Sequence, residues 1–279
     1  MPYKDETGLY KSLFNEAGGI ISNVSSIKKL DQYIQLVRIL TNEWETTWPW
    51  FRGVSRASYS LVPSIYRASS WKYDTKIARE MIDEFIRYAR QLLPQISYDY
   101  NRWGWYQIMR HHGLPTRLLD WTYASKTALY FALRNLEDIN NPCVWVLNPF
   151  TLNTASRGKP NVLYTDPVIQ SKDDLYIEKY LDSDNKLPGL PIAVGPAHIN
   201  PRITAQRGCF TVHGSKREGI DQLVNNKKSK GIRLAKLYIS DDYVEDIRKD
   251  LMISGVTEAI LFPDLDGLAR EICCTYGCQ

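Results

Sequence analysis

The chain has 279 residues, of which 44% are hydrophobic and 24% charged, with a net charge of +4. That make-up belongs to an ordinary globular protein with a full core, in one large domain or two modest ones. No apolar run approaches the ~20 residues needed to span a bilayer, and nothing like a signal peptide follows the opening Met-Pro-Tyr-Lys-Asp-Glu. The five cysteines are odd in number and three fall in the last seven residues, which does not suit a disulfide framework; a cytoplasmic protein is expected. The Cys273-Cys274-Thr275-Tyr276-Gly277-Cys278 tail lacks the second ligand pair that a zinc site needs. The mild positive charge permits a nucleic-acid partner without requiring one.

Taken in chain order, Ser26 followed by Ile27, Leu30, Ile34, Val37 and Leu40 predicts a capped amphipathic helix. Residues 1–46 are expected to pack as an N-terminal helical segment on a domain spanning 47–279. Trp48 to Gly53 predicts a short aromatic strand ending in a turn. Residues 58–70 look irregular, broken by Pro63. Ile77, Met81, Phe85, Ala89 and Leu92 recur at helical spacing over 74–93, and Pro94 should stop that helix. A Trp- and Tyr-rich segment, 98–109, then leads into residues 110–122, expected as a polar loop.

Thr122 is expected to cap a helix through Leu136 that buries Ala124, Ala128, Phe131 and Ala132. Cys143 to Leu147 predicts a buried strand. The pattern then weakens, and 148–200 reads as an irregular insertion, a lid or a substrate loop. Strands are predicted over 208–213 and 234–239, a helix capped by Ser240 and ended by Gly255, a last strand over 258–262 and a last helix over 265–272. The run 225–230 reads as a solvated basic loop. Strands and helices without regular alternation predict an α+β fold.

The chemistry concentrates in residues 110–122, Arg-His-His-Gly-Leu-Pro-Thr-Arg-Leu-Leu-Asp-Trp-Thr. A polar stretch delivered to the start of a helix is a common anion site. Arg52, next to Gly53, can hold a phosphate with its planar fork or simply pack on tryptophans. His111 and His112 are adjacent and cannot both face one ligand; one is expected to reach a cleft. Arg117 suits a structural ion pair with Asp120, whereas Asp120 also suits a ribose hydroxyl and Trp121 a planar ring. Gln206, beside Gly208, can hold a hydroxyl or an amide but does not ionise. Glu258, Asp264 and Asp266 are the carboxylate alternatives, the two aspartates reading better as turn and cap residues. No P-loop, G-x-G-x-x-G, G-x-S-x-G or H-E-x-x-H pattern is present.

Trp50-Phe51-Arg52-Gly53, with Leu61 to Arg67 after it, resembles the opening of the FRG domain, named for its Phe-Arg-Gly motif. His112 to Thr122 with Ala128 to Ala132, Pro201 to Phe210, and Leu261 to Leu268 resemble its later signatures, so the likeness runs from about Ser25 to Ile272. Arg110 stands where that family has Gln. The family's layout is similar to that of ADP-ribosyltransferases, which implies a split, mixed or antiparallel sheet with flanking helices and NAD as substrate. The resemblance makes Arg52, Thr122, Gln206 and His112 the catalytic set. It makes Arg52, Gly53, His112, Arg117, Asp120, Trp121, Thr122 and Tyr130 the cofactor-binding set, with Trp121 or Tyr130 stacking on nicotinamide. Whether Gln206 or Glu258 is the third catalytic residue stays open. The resemblance further implies a macromolecular acceptor, RNA, DNA or protein, and the mild basic charge puts RNA or other nucleic acid ahead of protein. It also implies a toxin of antiphage defence or of a toxin–antitoxin pair, held by a regulatory protein. The alternative is a non-enzymatic module that senses a nucleotide. A metal-dependent or glycosidase-like hydrolase would need paired carboxylates or a metal cluster, which the pattern does not supply.

Overall fold

The computed structural model describes residues 20–21, 26–67, 75–92, 101–181, 187–197, 201–224 and 231–278. The first half contains β1 (Ile20–Ile21), α1 (Leu30–Glu43), β2 (Trp50–Val54), α2 (Ser64–Arg67), α3 (Thr75–Leu92), α4 (Arg102–His111), β3 (Leu118–Thr122) and α5 (Ser125–Leu133). Then come β4 (Cys143–Leu147), α6 (Pro149–Arg157), β5 (Leu163–Tyr164), β6 (Ile192–Gly195), α7 (Pro201–Ala205), β7 (Gly208–Val212) and α8 (Ile220–Val224). The chain closes with β8 (Leu234–Tyr238), α9 (Val244–Ile253), α10 (Glu258–Leu261) and α11 (Leu265–Tyr276). The fold is α+β.

The strands form one mixed sheet in the order β1-β8-β4-β2-β3-β7-β6-β5. Its two outermost pairs, β1 with β8 and β5 with β6, are parallel and the inner pairs antiparallel. At the centre the ladder opens. β2 pairs with β4 at five positions and β3 with β7 at five, but β2 and β3 meet only at Phe51 and Thr122.

The two faces treat this gap differently. On one face a single core runs across both halves, joining Trp50, Val54, Trp145, Leu119, Trp121, Cys209 and Ala193. On the other face there are two separate cores. Phe51, Val144, Val146, Ala235 and Leu237 pack under α1, α5 and α9, whereas Leu118, Phe210, Val212, Ile192 and Val194 pack under α4 and Ile203 of α7. The seam between those two cores lies over the open ladder. One face holds the halves together and the other leaves room between them.

Gly53 sets the close approach at this seam. A Cβ there would lie 1.8 Å from the Ala128 carbonyl oxygen and 2.6 Å from the Ala132 nitrogen, so α5 can rest on β2 only because this position has no side chain. Gly113 serves differently, with φ +84 just after α4, in the left-handed region where L side chains are strained.

Several expectations are corrected. Ser26 does not cap α1; Lys29 holds the N-cap position, and Ile27 pairs with Ile239 at the sheet edge. Gly53 lies inside β2 rather than in a turn. Ser64–Arg67 is a short helix. Residues 110–122 are not one loop: Arg110 and His111 end α4, and 118–122 is a strand buried on both faces, which hides the alternation that marks half-exposed strands. Thr122 ends that strand, and α5 starts at Ser125 and stops at Leu133. The described residues of this span, 148–181 and 187–197, are not an irregular insertion. They carry α6, β5 and β6, tied in by Asn153, whose side chain exchanges hydrogen bonds with the Ala193 backbone at 2.7 and 3.0 Å. Ser240 precedes a 3₁₀ turn rather than capping a helix directly. The predicted strand over 258–262 is the short helix α10. The basic run 225–230 and the Pro94 stop lie outside the described residues.

The packing generates two predictions. Gly53→Ala should lower stability by at least ~2 kcal/mol, because overpacking here meets main chain that cannot step aside; a denaturant midpoint checks it. His213 is fully buried, and neither ring nitrogen has a hydrogen-bond partner among the described residues. Burial first, and the nearby Arg117 second, pull its pKa down to about 3. The folded state therefore holds it neutral, whereas an unfolded chain binds a proton near pH 6.5. Stability should be full above that pH and fall as pH drops from about 6.5 towards about 3. His213→Phe should flatten that part of the melting-temperature profile relative to the parent protein.

Candidate functional site

A cavity of about 580 Å³ occupies the seam over the open ladder. Phe51, Arg52 and Gly53 of β2 and Asp120 and Thr122 of β3 line its floor. Ala128 and Phe131 of α5 form one wall; Gln107, Arg110 and His111 of α4, with Arg202, Ile203, Gln206 and Phe210, form the other.

Arg52 closes the gap in the ladder. Its Nη1 donates to the Asp120 carbonyl at 2.7 Å, in place of the backbone amide that a continuous ladder would supply, and lies 3.7 Å from Asp120 Oδ2. Arg110 grips the same carboxylate with two bonds, Nε to Oδ1 at 3.2 Å and Nη2 to Oδ2, and reaches Ser64 at 3.5 Å. Burial alone would raise the pKa of Asp120, but Arg110 and then Arg52 outweigh it and hold the carboxyl below its ordinary value.

The charge does not balance. Among the described residues, Arg52, Arg67, Arg110 and Arg202 line the cavity against the single carboxylate of Asp120. Burial first, then repulsion from Arg67 and Arg110, pull the Arg52 pKa down to about 10 against the pull of Asp120, so it stays cationic at neutral pH. Burial and neighbouring guanidiniums also lower Arg67 and Arg202. Neither has a carboxylate within ion-pair distance among the described residues: Arg67 donates Nε to the Val62 carbonyl at 2.7 Å, and Arg202 lies over the Phe262 ring at 4.4 Å. Such a surface favours an anion.

Thr122 and Gln206 are joined on the opposite side. Thr122 Oγ1 donates to the Gln206 carbonyl at 2.7 Å and accepts from the Ala124 amide at 2.9 Å. Gln206 Nε2 donates to the Leu261 carbonyl at 3.0 Å, which fixes the side chain. The next residue, Arg207, has φ +47, an uncommon left-handed conformation for a residue with a side chain, at the entry to β7.

The structure thus brings Arg52, Gly53, Asp120, Thr122 and Gln206 to one cavity. It separates others that the sequence grouped with them. His112 is exposed and lines a different hollow with Met81, Phe85, Tyr88 and Leu114; His111 faces the cavity instead. Burial, then His112 and Arg202, lower the His111 pKa, leaving a neutral imidazole at pH 7. Arg117 is buried away from the cavity and donates to the carbonyls of His213, at 3.1 Å, and Tyr180. Trp121 borders the cavity, but its ring is 3% exposed in the opposite core and its Nε1 donates to Thr211 at 3.0 Å, so it offers no open face. Tyr130 donates to Glu258, which also binds Arg134 and Arg270 at 2.6 and 2.7 Å. These hydrogen bonds outweigh burial and hold the Glu258 pKa down. Neither Tyr130 nor Glu258 borders the cavity.

Sequence reasoning missed Arg67 and Arg202 as cavity residues, took Arg110 only as a departure from the family pattern, and left open which of His111 and His112 faces the cleft. Gln107, Arg110 and His111 lie three and four positions apart on α4, so helical phase would have grouped them had the helix been carried to residue 111. Arg67 and Arg202 carry no such signal. Among the described residues no group of three or more His, Cys, Asp or Glu is arranged to hold a metal, and no helix is long and apolar enough to cross a membrane.

Residues 48–141 match the family model of the FRG domain. The match spans β2 through α5, and so includes Arg52, Arg67, Arg110, Asp120 and Thr122 but leaves Arg202 and Gln206 outside it. No curated protein and no solved structure is detectably similar to the chain.

The Thr122 bonds yield a stability prediction. Thr122→Val keeps the shape but leaves the Gln206 carbonyl and the Ala124 amide without that partner. It should cost about 1–3 kcal/mol, measured as a shift in the denaturant midpoint at unchanged slope.

Proposed function

We propose that the chain is an NAD-dependent ADP-ribosyltransferase whose acceptor is a macromolecule. The observation that carries this is the cavity at the open β2–β3 ladder, with Arg52, Thr122 and Gln206 around it and guanidiniums in excess of carboxylate. NAD presents a pyrophosphate, two planar rings and two riboses. Arg52 and Arg67 would take the pyrophosphate, each offering a planar fork suited to phosphate oxygens. Phe131 and Phe210 supply apolar wall for a ring. Thr122 and Gln206 would hold the nicotinamide ribose.

The bond broken is the one between the ribose anomeric carbon and the nicotinamide nitrogen, whose electrons leave with nicotinamide. The ribose passes through an oxocarbenium-like state, and a rigid set of dipoles stabilises it. The acceptor supplies the electron pair of the new bond, and its proton passes to a base. His111, neutral and cavity-facing, takes the role that the resemblance gave to His112. The net charge of +4 favours RNA or another nucleic acid over protein as acceptor. A toxin restrained by a regulatory partner is the setting that fits such an activity.

One observation favours a second reading, a module that senses a nucleotide without turnover. Asp120 is the only carboxylate bordering the cavity among the described residues, it is already paired with arginine, and Gln206 cannot ionise.

Incubation of the purified protein with NAD labelled on its adenine half, together with RNA, DNA and cell extract, separates the two. Free nicotinamide and a labelled macromolecule, reduced about 100-fold or more in Arg52→Ala, are expected. Undiminished labelling by that variant would overturn the site. NAD bound without nicotinamide release would favour the sensing module.

A further inference from the structure

We propose that Arg110 is a positioning residue that holds Asp120 to a loose ion pair with Arg52, without a side-chain hydrogen bond, so that Arg52 keeps donors available to a ligand anion. The inference rests on the anion-binding cavity and goes beyond it, because it gives Arg110 a role without ligand contact.

The three side chains come from three elements: Arg52 from β2, Arg110 from the last turn of α4, and Asp120 from β3. Asp120 Oδ2 stands between the two guanidiniums. It is bonded by Arg110, which also takes Oδ1, and lies 3.7 Å from Arg52 Nη1, outside hydrogen-bond range. Arg52 instead bonds the Asp120 main-chain carbonyl at 2.7 Å. The carboxylate is thus divided unequally between two cations. The bidentate fork of Arg110 fits both oxygens, a geometry that an ammonium cannot reproduce. Arg110 Nη1 also reaches Ser64 at 3.5 Å, tying the fork to α2 and limiting its freedom.

Loss of the fork would free the carboxylate. Asp120 is half-exposed and sits within a small side-chain movement of Arg52. Released, it would close the loose 3.7 Å ion pair with Arg52 to a hydrogen-bonded one and occupy the guanidinium with an internal anion. A ligand phosphate would then have to displace it. The Coulomb gain from a phosphate on Arg52 falls when a carboxylate is already there. Arg110 would thereby govern anion affinity while its own charge is committed to Asp120.

A double-variant cycle tests this. Inorganic pyrophosphate is titrated calorimetrically into the full chain, into Arg110→Lys, into Asp120→Asn and into the double variant, each checked by thermal melting. Arg110→Lys keeps the net charge and loses the fork. With Asp120 present it should weaken pyrophosphate binding about tenfold; with Asn at position 120 it should change binding less than about twofold. An equal loss in both backgrounds would overturn the proposal, because Arg110 would then act on the ligand directly or through general stability. Unchanged affinity in Arg110→Lys alone would overturn it as well. Absence of pyrophosphate binding by the parent protein would instead overturn the anion cavity, and the proposal with it. If Arg110→Lys does not fold, Arg110→Gln takes its place in the same cycle: it should weaken binding more with Asp120 present than with Asn at that position, and an equal loss in both backgrounds would overturn the proposal.

Discussion

A guanidinium that stands in for a missing strand contact organises this molecule. β2 and β3 part after Phe51 and Thr122, and a backbone carbonyl left bare in a sheet interior is costly. Arg52 supplies the donor to the Asp120 carbonyl from its side chain. The sheet can therefore stay one sheet while its two halves separate enough to hold a cavity. The opposite face makes this possible, because the tryptophans at 50, 121 and 145 pack there in one uninterrupted core. Gly53 completes the arrangement by letting α5 lie directly on β2 beside the gap.

Electrostatics turns that gap into a site. Charge drawn together by the fold needs a partner, and among the described residues this cavity gathers four guanidiniums around one carboxylate. The lowered pKa values of Arg52, Arg67 and Arg202 record the same strain, with burial the leading cause in each. Arg110 is the exception, raised chiefly by Asp120. An anion entering the cavity relieves repulsion that folding alone leaves in place. Thr122 and Gln206, locked to each other and to the Leu261 carbonyl, form a stiff polar edge opposite the cations. Stiffness matters for chemistry that develops charge, since donors already in position need no rearrangement.

Much of this was legible in the residues. The Phe-Arg-Gly triplet marked β2, and the helical spacing from Ile77 to Leu92 marked α3, because both patterns are local. Cys143 to Leu147 announced β4 through an unbroken apolar run. Where local patterns compete, reading failed. Gly113 and Pro115 made residues 110–122 look like a loop, yet strand β3 occupies the second half, since Leu118 and Leu119 are both covered from opposite sides of the sheet. Ile260, Leu261 and Phe262 resembled a strand, but Ile260 is exposed while its two neighbours are buried, as a helical turn allows. Thr122 resembled a helix cap, and its hydroxyl does accept from the Ala124 amide, one residue before α5 begins. The partners of Arg52 were hidden for another reason. Arg67, Arg110 and Arg202 are far apart in the sequence, and only the tertiary fold gathers them.

The most direct test is a crystal structure with a non-hydrolysable NAD analogue bound. Density is expected in the seam over the open ladder, with pyrophosphate oxygens within hydrogen-bond distance of Arg52 and a ribose beside Thr122 and Gln206. An analogue bound anywhere else, with the cavity between β2 and β3 empty, would contradict the assignment of this seam as the NAD site.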